Sequence, residues 1–236
     1  MGIFRRFSVT MCIAYFFTTY AGWAQTGLDE KQLGAWYMYF FNTGIKESRF
    51  GIQGDVQFRN WDFGNDLEQL LLRGGFSYVP KGTNVKFGIG YAFILIGKFG
   101  EDGNTSNEDR IHQEALLPQK VGGRIYLRHR FRFEERWIDG QDFRTRWRYT
   151  LFCNIPFNSK DLVKGTFYYA FYNEIFINGQ RDIGNGIEVE LFDRDRFYNA
   201  IGYGLNDKMR IQGGYMYQLT DNWGKGQIQL GLHHSF

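Results

Sequence analysis

Between Arg124 and Ile155 the chain reads RIYLRHRFRFEERWIDGQDFRTRWRYTLFCNI, with arginine on every second residue in two separate runs. In the first run Arg124, Tyr126, Arg128, Arg130 and Arg132 share one parity, while Ile125, Leu127, His129, Phe131 and Phe133 share the other. In the second, Arg144, Arg146 and Arg148 alternate with Phe143, Thr145, Trp147, Tyr149 and Leu151. Side chains on a strand point to opposite faces with period 2, so each run is expected to form a strand with one cationic face and one apolar, aromatic face; a helix would mix the two. A soluble sheet would bury the apolar face and leave the arginines in water. A transmembrane barrel would turn the arginines into its lumen and the aromatics toward lipid.

The N-terminus favours an exported chain. Arg5 and Arg6 precede an apolar run from Phe7 to Tyr20, and the small residues Gly22 and Ala24 suit cleavage before Gln25, the pattern of a secretory signal peptide over 1–24. The run is too short and too rich in threonine for an anchoring helix, and Cys12 lies inside it without a lipidation motif. The mature chain, 25–236, then keeps only Cys153. An intrachain disulfide is excluded, and the thiol, on the apolar parity of its strand, reads as a small outward-facing residue.

Composition agrees with the barrel. Aromatic residues make up 19% of the chain, with 30 glycines and only 3 prolines, while the mean hydropathy of −0.41 and scattered charge exclude a bundle of membrane helices. A net charge of +3, evenly spread, gives no basis for nucleic-acid binding. Alternating segments recur throughout: Trp36 to Phe41; Phe50, Ile52, Val56 and Phe58 against Gln53, Asp55, Gln57 and Arg59; Leu70 to Tyr78; and Val85, Phe87, Ile89, Tyr91, Phe93 and Leu95 against Lys86, Gly88, Gly90, Ala92 and Ile94. Further on come 110–117, the two arginine strands, 166–177, 196–205, 209–217 and 227–236. The polar stretches 97–109 and 178–188 read as long loops.

The last segment alternates Ile228, Leu230, Leu232, His234 and Phe236 with Gln227, Gln229, Gly231, His233 and Ser235. A closing phenylalanine on such a strand has the form of the signal by which bacterial outer-membrane barrels are recognised for insertion, so Leu230, Leu232 and Phe236 are its expected elements. The fold expected is an all-β, antiparallel transmembrane barrel in the outer membrane, preceded by the cleaved signal peptide. Eleven candidate strands conflict with the even number usual in single-chain bacterial barrels, which leaves ten or twelve as the count.

LRHRFRFEERW, RTRWRYTLF, YNEIFIN, FDRDRFYNAIGYGL and GGYMYQ…QLGLHHSF, in this order, resemble the domain-of-unknown-function family 2490, outer-membrane barrels of Gram-negative bacteria. The resemblance covers most of the mature chain and is most specific from the arginine pair onward. It implies fold and location and carries no activity.

The residues themselves bear little recognisable chemistry. No nucleophile-elbow, zinc-protease, dithiol or phosphate-loop motif occurs, and Gly88-x-Gly90 and Gly202-x-Gly204 lie in strands without a third glycine. No cofactor or metal is expected. His112, His129, His233 and His234 are scattered, and His233 with Ser235 would act together only beside an acid and an oxyanion site. The cluster that demands explanation is Arg124, Arg128, Arg130, Arg132, Arg144, Arg146 and Arg148, which would repel unless Glu174, Glu134, Asp55 or Glu68 reach across a narrow lumen. A structural barrel with an ion-paired interior is the leading reading. Alternatives are a narrow anion-preferring channel or binding barrel, an outer-membrane lipid-modifying enzyme, and a soluble periplasmic β-sandwich. Trp36, Tyr91, Trp147, Tyr149 and Tyr217 read as an outward aromatic girdle. The expected partners are outer-membrane lipid and lipopolysaccharide, with the barrel-assembly machinery during insertion, and the expected state is a monomer.

Overall fold

The computed structural model describes residues 28–236, so the expected signal peptide lies outside the described residues. Eleven strands follow one another: β1 (Gly34–Gly44), β2 (Phe50–Asn60), β3 (Leu67–Tyr78), β4 (Lys86–Lys98), β5 (Glu101–Val121), β6 (Ile125–Ile138), β7 (Arg144–Pro156), β8 (Phe167–Asn178), β9 (Phe192–Gly204), β10 (Met209–Leu219) and β11 (Gly224–Ser235). Each pairs antiparallel with its neighbour in the chain, and β1 closes on β11 in parallel, from Gly34 opposite Gln227 to Asn42 opposite Ser235. A closed barrel results, which removes the sandwich alternative.

Parallel closure resolves the strand count. All eleven segments are strands, and the expectation of an even number, with both ends of the barrel chain on one side, is corrected. β1 starts at the mouth where β11 starts, so the chain enters the barrel at one mouth and leaves it at the other. We call these the entry mouth and the exit mouth. The connections 61–66, 139–143, 179–191 and 220–223 lie at the entry mouth, with 45–49, 79–85, 122–124, 157–166 and 205–208 at the exit mouth.

Alternation decides which side of the sheet meets the surroundings. The exterior is apolar, with Phe76 61% and Trp147 58% exposed among many others, while charged and amide side chains fill the interior. That is the reverse of a soluble sheet. Turns form where the chain can take the required backbone: Gly122 and Gly123, between β5 and β6, hold φ of 58° and 72°, a left-handed conformation that glycine adopts without steric cost.

Two expectations fail for definable reasons. The polar stretch 97–109 is mostly strand: β5 is 21 residues long and its pairing with β4 continues to Thr105 opposite Gly97. Backbone pairing at this rim asks nothing of side-chain polarity, so the sequence pattern fades where the strand does not. Trp36 is not part of the outer girdle but lies inside, 1% exposed. Its strand, AWYMYFF, is apolar on both parities, which leaves the phase of β1 open until pairing with β2 fixes it. Tyr91, Trp147 and Tyr217 are exposed, and Tyr149 is half-buried.

Candidate functional site: the arginine interior

β6 and β7 are adjacent and in register, with Arg132 opposite Arg148, Glu134 opposite Arg146 and Arg130 opposite Thr150. Two inward-facing cationic rows side by side are unstable alone, and they are balanced by Glu134 on β6 itself and by carboxylates from β5, β8 and β9. Glu134, wholly buried, accepts from Arg146 Nε and Nη2 at 2.9 and 2.7 Å and from Arg148 Nη1 at 2.5 Å, with Arg110 Nη1 at 3.4 Å. Glu174, from β8, takes Arg148 Nη2 at 2.6 Å, Arg130 Nη2 at 2.7 Å and the Thr150 hydroxyl at 2.8 Å. Glu108 receives Arg110 and Arg136, Glu114 receives Arg132, and Asp55 receives Arg73, each through two guanidinium nitrogens within 3.1 Å. Several of these carboxylates bridge more than one arginine, so the pairs fuse into one belt.

Five of the seven arginines singled out by sequence belong to or adjoin this belt. Arg130, Arg132, Arg146 and Arg148 are ion-paired. Arg128 instead lies with its guanidinium 4.4 Å from the Phe152 ring centroid, a cation–π contact. Arg144 opens β7 at the entry mouth with no carboxylate within ion-pair distance among the described residues. Arg124 is a correction: it sits exposed in the β5–β6 turn, because β6 begins only at Ile125 and the alternation of the run does not reach it.

The interior also holds Arg59, Arg73 and Arg110, each the only arginine of its strand, Arg136, set apart from the run on β6 by Glu134, and Arg194 with Arg196 on β9. The inward parity of each strand was the available signal. Asp193 had none. It occupies the irregularity where β8 and β9 shift register between Phe176 and Ile177, and the extra residue turns its carboxylate inward, 2.7 Å from Arg146 Nη1.

Above and below the belt the interior is packed differently. Trp36 donates from its indole nitrogen to Glu68 at 2.8 Å, and the guanidiniums of Arg59 and Arg196 lie 4.0 and 4.8 Å from its ring. With Tyr168, Ala170, Tyr198, Ala200 and Met216 it forms an apolar cluster inside the barrel. Cavities in the interior include one of about 240 Å³ on the exit side, partly lined by Met38, Phe40, Phe152 and Arg128, and one of about 280 Å³ on the entry side. Arg59, Arg73, Arg148 and Arg196 line both and form the partition between them.

The histidine and serine of the last strand do not form a catalytic pair. His233 stacks on Phe40 with ring centroids 4.8 Å apart, and Ser235 Oγ accepts from Asn42 Nδ2 at 3.1 Å. Of the expected assembly elements, Leu230 and Phe236 are exposed and Leu232 is half-buried. The Phe236 amide donates to Asn42 O at 3.0 Å, tying the end of the chain to β1.

A family model described as Protein of unknown function (DUF2490) matches residues 33–229, from the residue before β1 into the middle of β11. The chain belongs to this family. No curated protein and no solved structure matches it. For DUF2490 the match therefore places both arginine strands, Glu174 and the Asp193-containing strand within the family segment, and leaves Phe236 beyond it.

Proposed function

We propose that this protein is an outer-membrane β-barrel occluded at mid-height by its own ion pairs, a closed structural barrel rather than an open pore. The observation that carries the reading is the partition: Arg59, Arg73, Arg148 and Arg196, from four strands, line both chambers, and the wholly buried Glu134 on β6 fixes Arg148 in that layer. In a small barrel whose side chains just fill the interior, such a network takes the place of an apolar core. The apolar exterior supports placement in lipid. Closure in a single chain leaves no free sheet edge, which supports a monomer.

Conductance tests the occlusion. Purified full-length protein in a planar bilayer is expected to pass no steady current. Stable, anion-preferring current steps that weaken their preference at high salt, as screening shortens the field, would instead establish the pore, a reading favoured by the excess of arginine over carboxylate in the interior. Placement is tested separately, by outer-membrane fractionation and by a gel mobility that changes only on boiling.

A further inference from the structure

The entry-side chamber has a charge composition that its own residues do not balance. Nine arginines line it, and Glu108 and Asp139 are the acidic residues on its wall. Carboxylates reach these arginines from outside the lining as well: Asp55 pairs with Arg73 and Asp193 with Arg146 and Arg194, while Glu134 and Glu174 are shared with Arg132 and Arg130 of the exit side and Asp139 spends a carboxylate oxygen on the Asn107 amide at 2.9 Å. Guanidinium remains in surplus. Arg144 feels Arg146, Glu108, Asp193 and Arg194, yet none of the acids pairs with it. The Nε groups of Arg144 and Arg194 are buried without a hydrogen-bond partner. An unpaired, half-buried charge and orphaned N–H donors both carry a cost, and here they border a polar space of about 280 Å³.

We propose that this chamber binds a compact, multiply charged oxyanion of the phosphate or diphosphate class. Guanidinium presents planar pairs of N–H donors that match phosphate oxygens, and a polyvalent anion supplies several acceptors and the missing negative charge in one small body. A monovalent halide supplies neither the fork of acceptors nor the charge. Ser106, Gln69 and Gln141 on the same wall add neutral polar groups. The inference goes beyond the occluded-barrel reading and fails separately from it, since conductance tests the partition and the experiment below tests the chamber.

The test is anion-dependent stability of the full-length protein in phosphatidylcholine nanodiscs, read as the thermal unfolding midpoint. Sodium diphosphate, sodium phosphate and sodium chloride are compared at matched ionic strength. Diphosphate is expected to raise the midpoint saturably, phosphate less and chloride not at all, because a ligand that binds only the folded state stabilises it in proportion to its occupancy. Arg144→Gln, which strips no carboxylate of its partner, should weaken the apparent diphosphate affinity about tenfold, the loss of one charge-assisted hydrogen bond. Arg144→Glu places a resident anion in the chamber and should abolish the diphosphate response without lowering the anion-free midpoint, while Arg181→Gln, in the exposed 179–191 connection, should respond like wild type. Nanodiscs containing phosphatidate distinguish the source: an Arg144-dependent rise without added diphosphate assigns the same phosphate chemistry to a lipid headgroup. Equal stabilisation by chloride and diphosphate, or an undiminished response in Arg144→Gln or Arg144→Glu, overturns the proposal.

Discussion

Glu134 has four arginines within ion-pair distance, and its value lies in what its loss would leave behind. Arg110, Arg146 and Arg148 all reach it, so Glu134→Gln keeps the shape and leaves guanidinium uncompensated in a closed interior, at a cost of about 3–5 kcal/mol. Glu174→Gln should act in the same direction. Asp161→Asn is the control, because its pair with Lys120 is exposed on both sides and such pairs contribute little; urea unfolding in lipid vesicles should separate the two classes, and equal stability of Glu134→Gln and Asp161→Asn would count against an ion-paired core. Legibility at this scale followed local density. Arg130, Arg132, Arg146 and Arg148 are readable because runs of alternating arginine fix their own parity, whereas Arg59 or Arg73, the only arginine of its strand, gains meaning only from partners brought in by the sheet. Trp36 falls on the other face from the one its chemistry suggests because the two parities of β1 are equally apolar, and its indole finds Glu68 only once β1, β2 and β3 are paired.

At the scale of the element, strands with one polar and one apolar face were legible and strands without that contrast were not. β4 shows both cases. Phe87, Ile89 and Tyr91 are exposed on one face, while Ala92 and Ile94 on the other are wholly buried with Leu71, so an apolar residue on the inward parity packs a local core instead of contradicting the phase. Toward the entry mouth β4 and β5 extend as a polar hairpin, and there the pattern that marks a strand is absent although the backbone ladder persists. The phase of β4 can be tested in lipid. Ile89→Arg places a charge on the outer face, 55% exposed in the barrel, where a charge at the bilayer midplane costs about 2–4 kcal/mol. Folding yield into vesicles should fall steeply, with Ile89→Leu unaffected, and a wild-type yield for the arginine variant would reverse the assigned faces.

For the whole molecule the closed sheet and its apolar exterior were readable from repetition, but the way it closes was not, since no residue in the sequence announces which strand its edge will meet. Tyr39 and Leu232 are direct partners across the β1–β11 junction. A Tyr39→Cys, Leu232→Cys pair, with Cys12 and Cys153 replaced by serine, should form a disulfide in the folded protein, and Tyr39→Cys with a cysteine at Ile228 should not. The same pair also reports on time. Every other junction joins strands that follow one another in the chain, whereas this one brings positions 34 and 227 together, and the entropy cost of closing a loop grows with its length. Ten antiparallel pairings can therefore zip in succession, and the parallel one has to wait for both outer strands. Until then the sheet carries two open edges, the condition in which a strand recruits another chain. During refolding the 39–232 disulfide should lag behind the appearance of strand signal in circular dichroism, and simultaneous growth of the two would deny that order. Closure of the first strand on the last thus sets the expected sequence of events as well as the shape: assembly should pass through an open ribbon, and the β1–β11 junction should be the last to form.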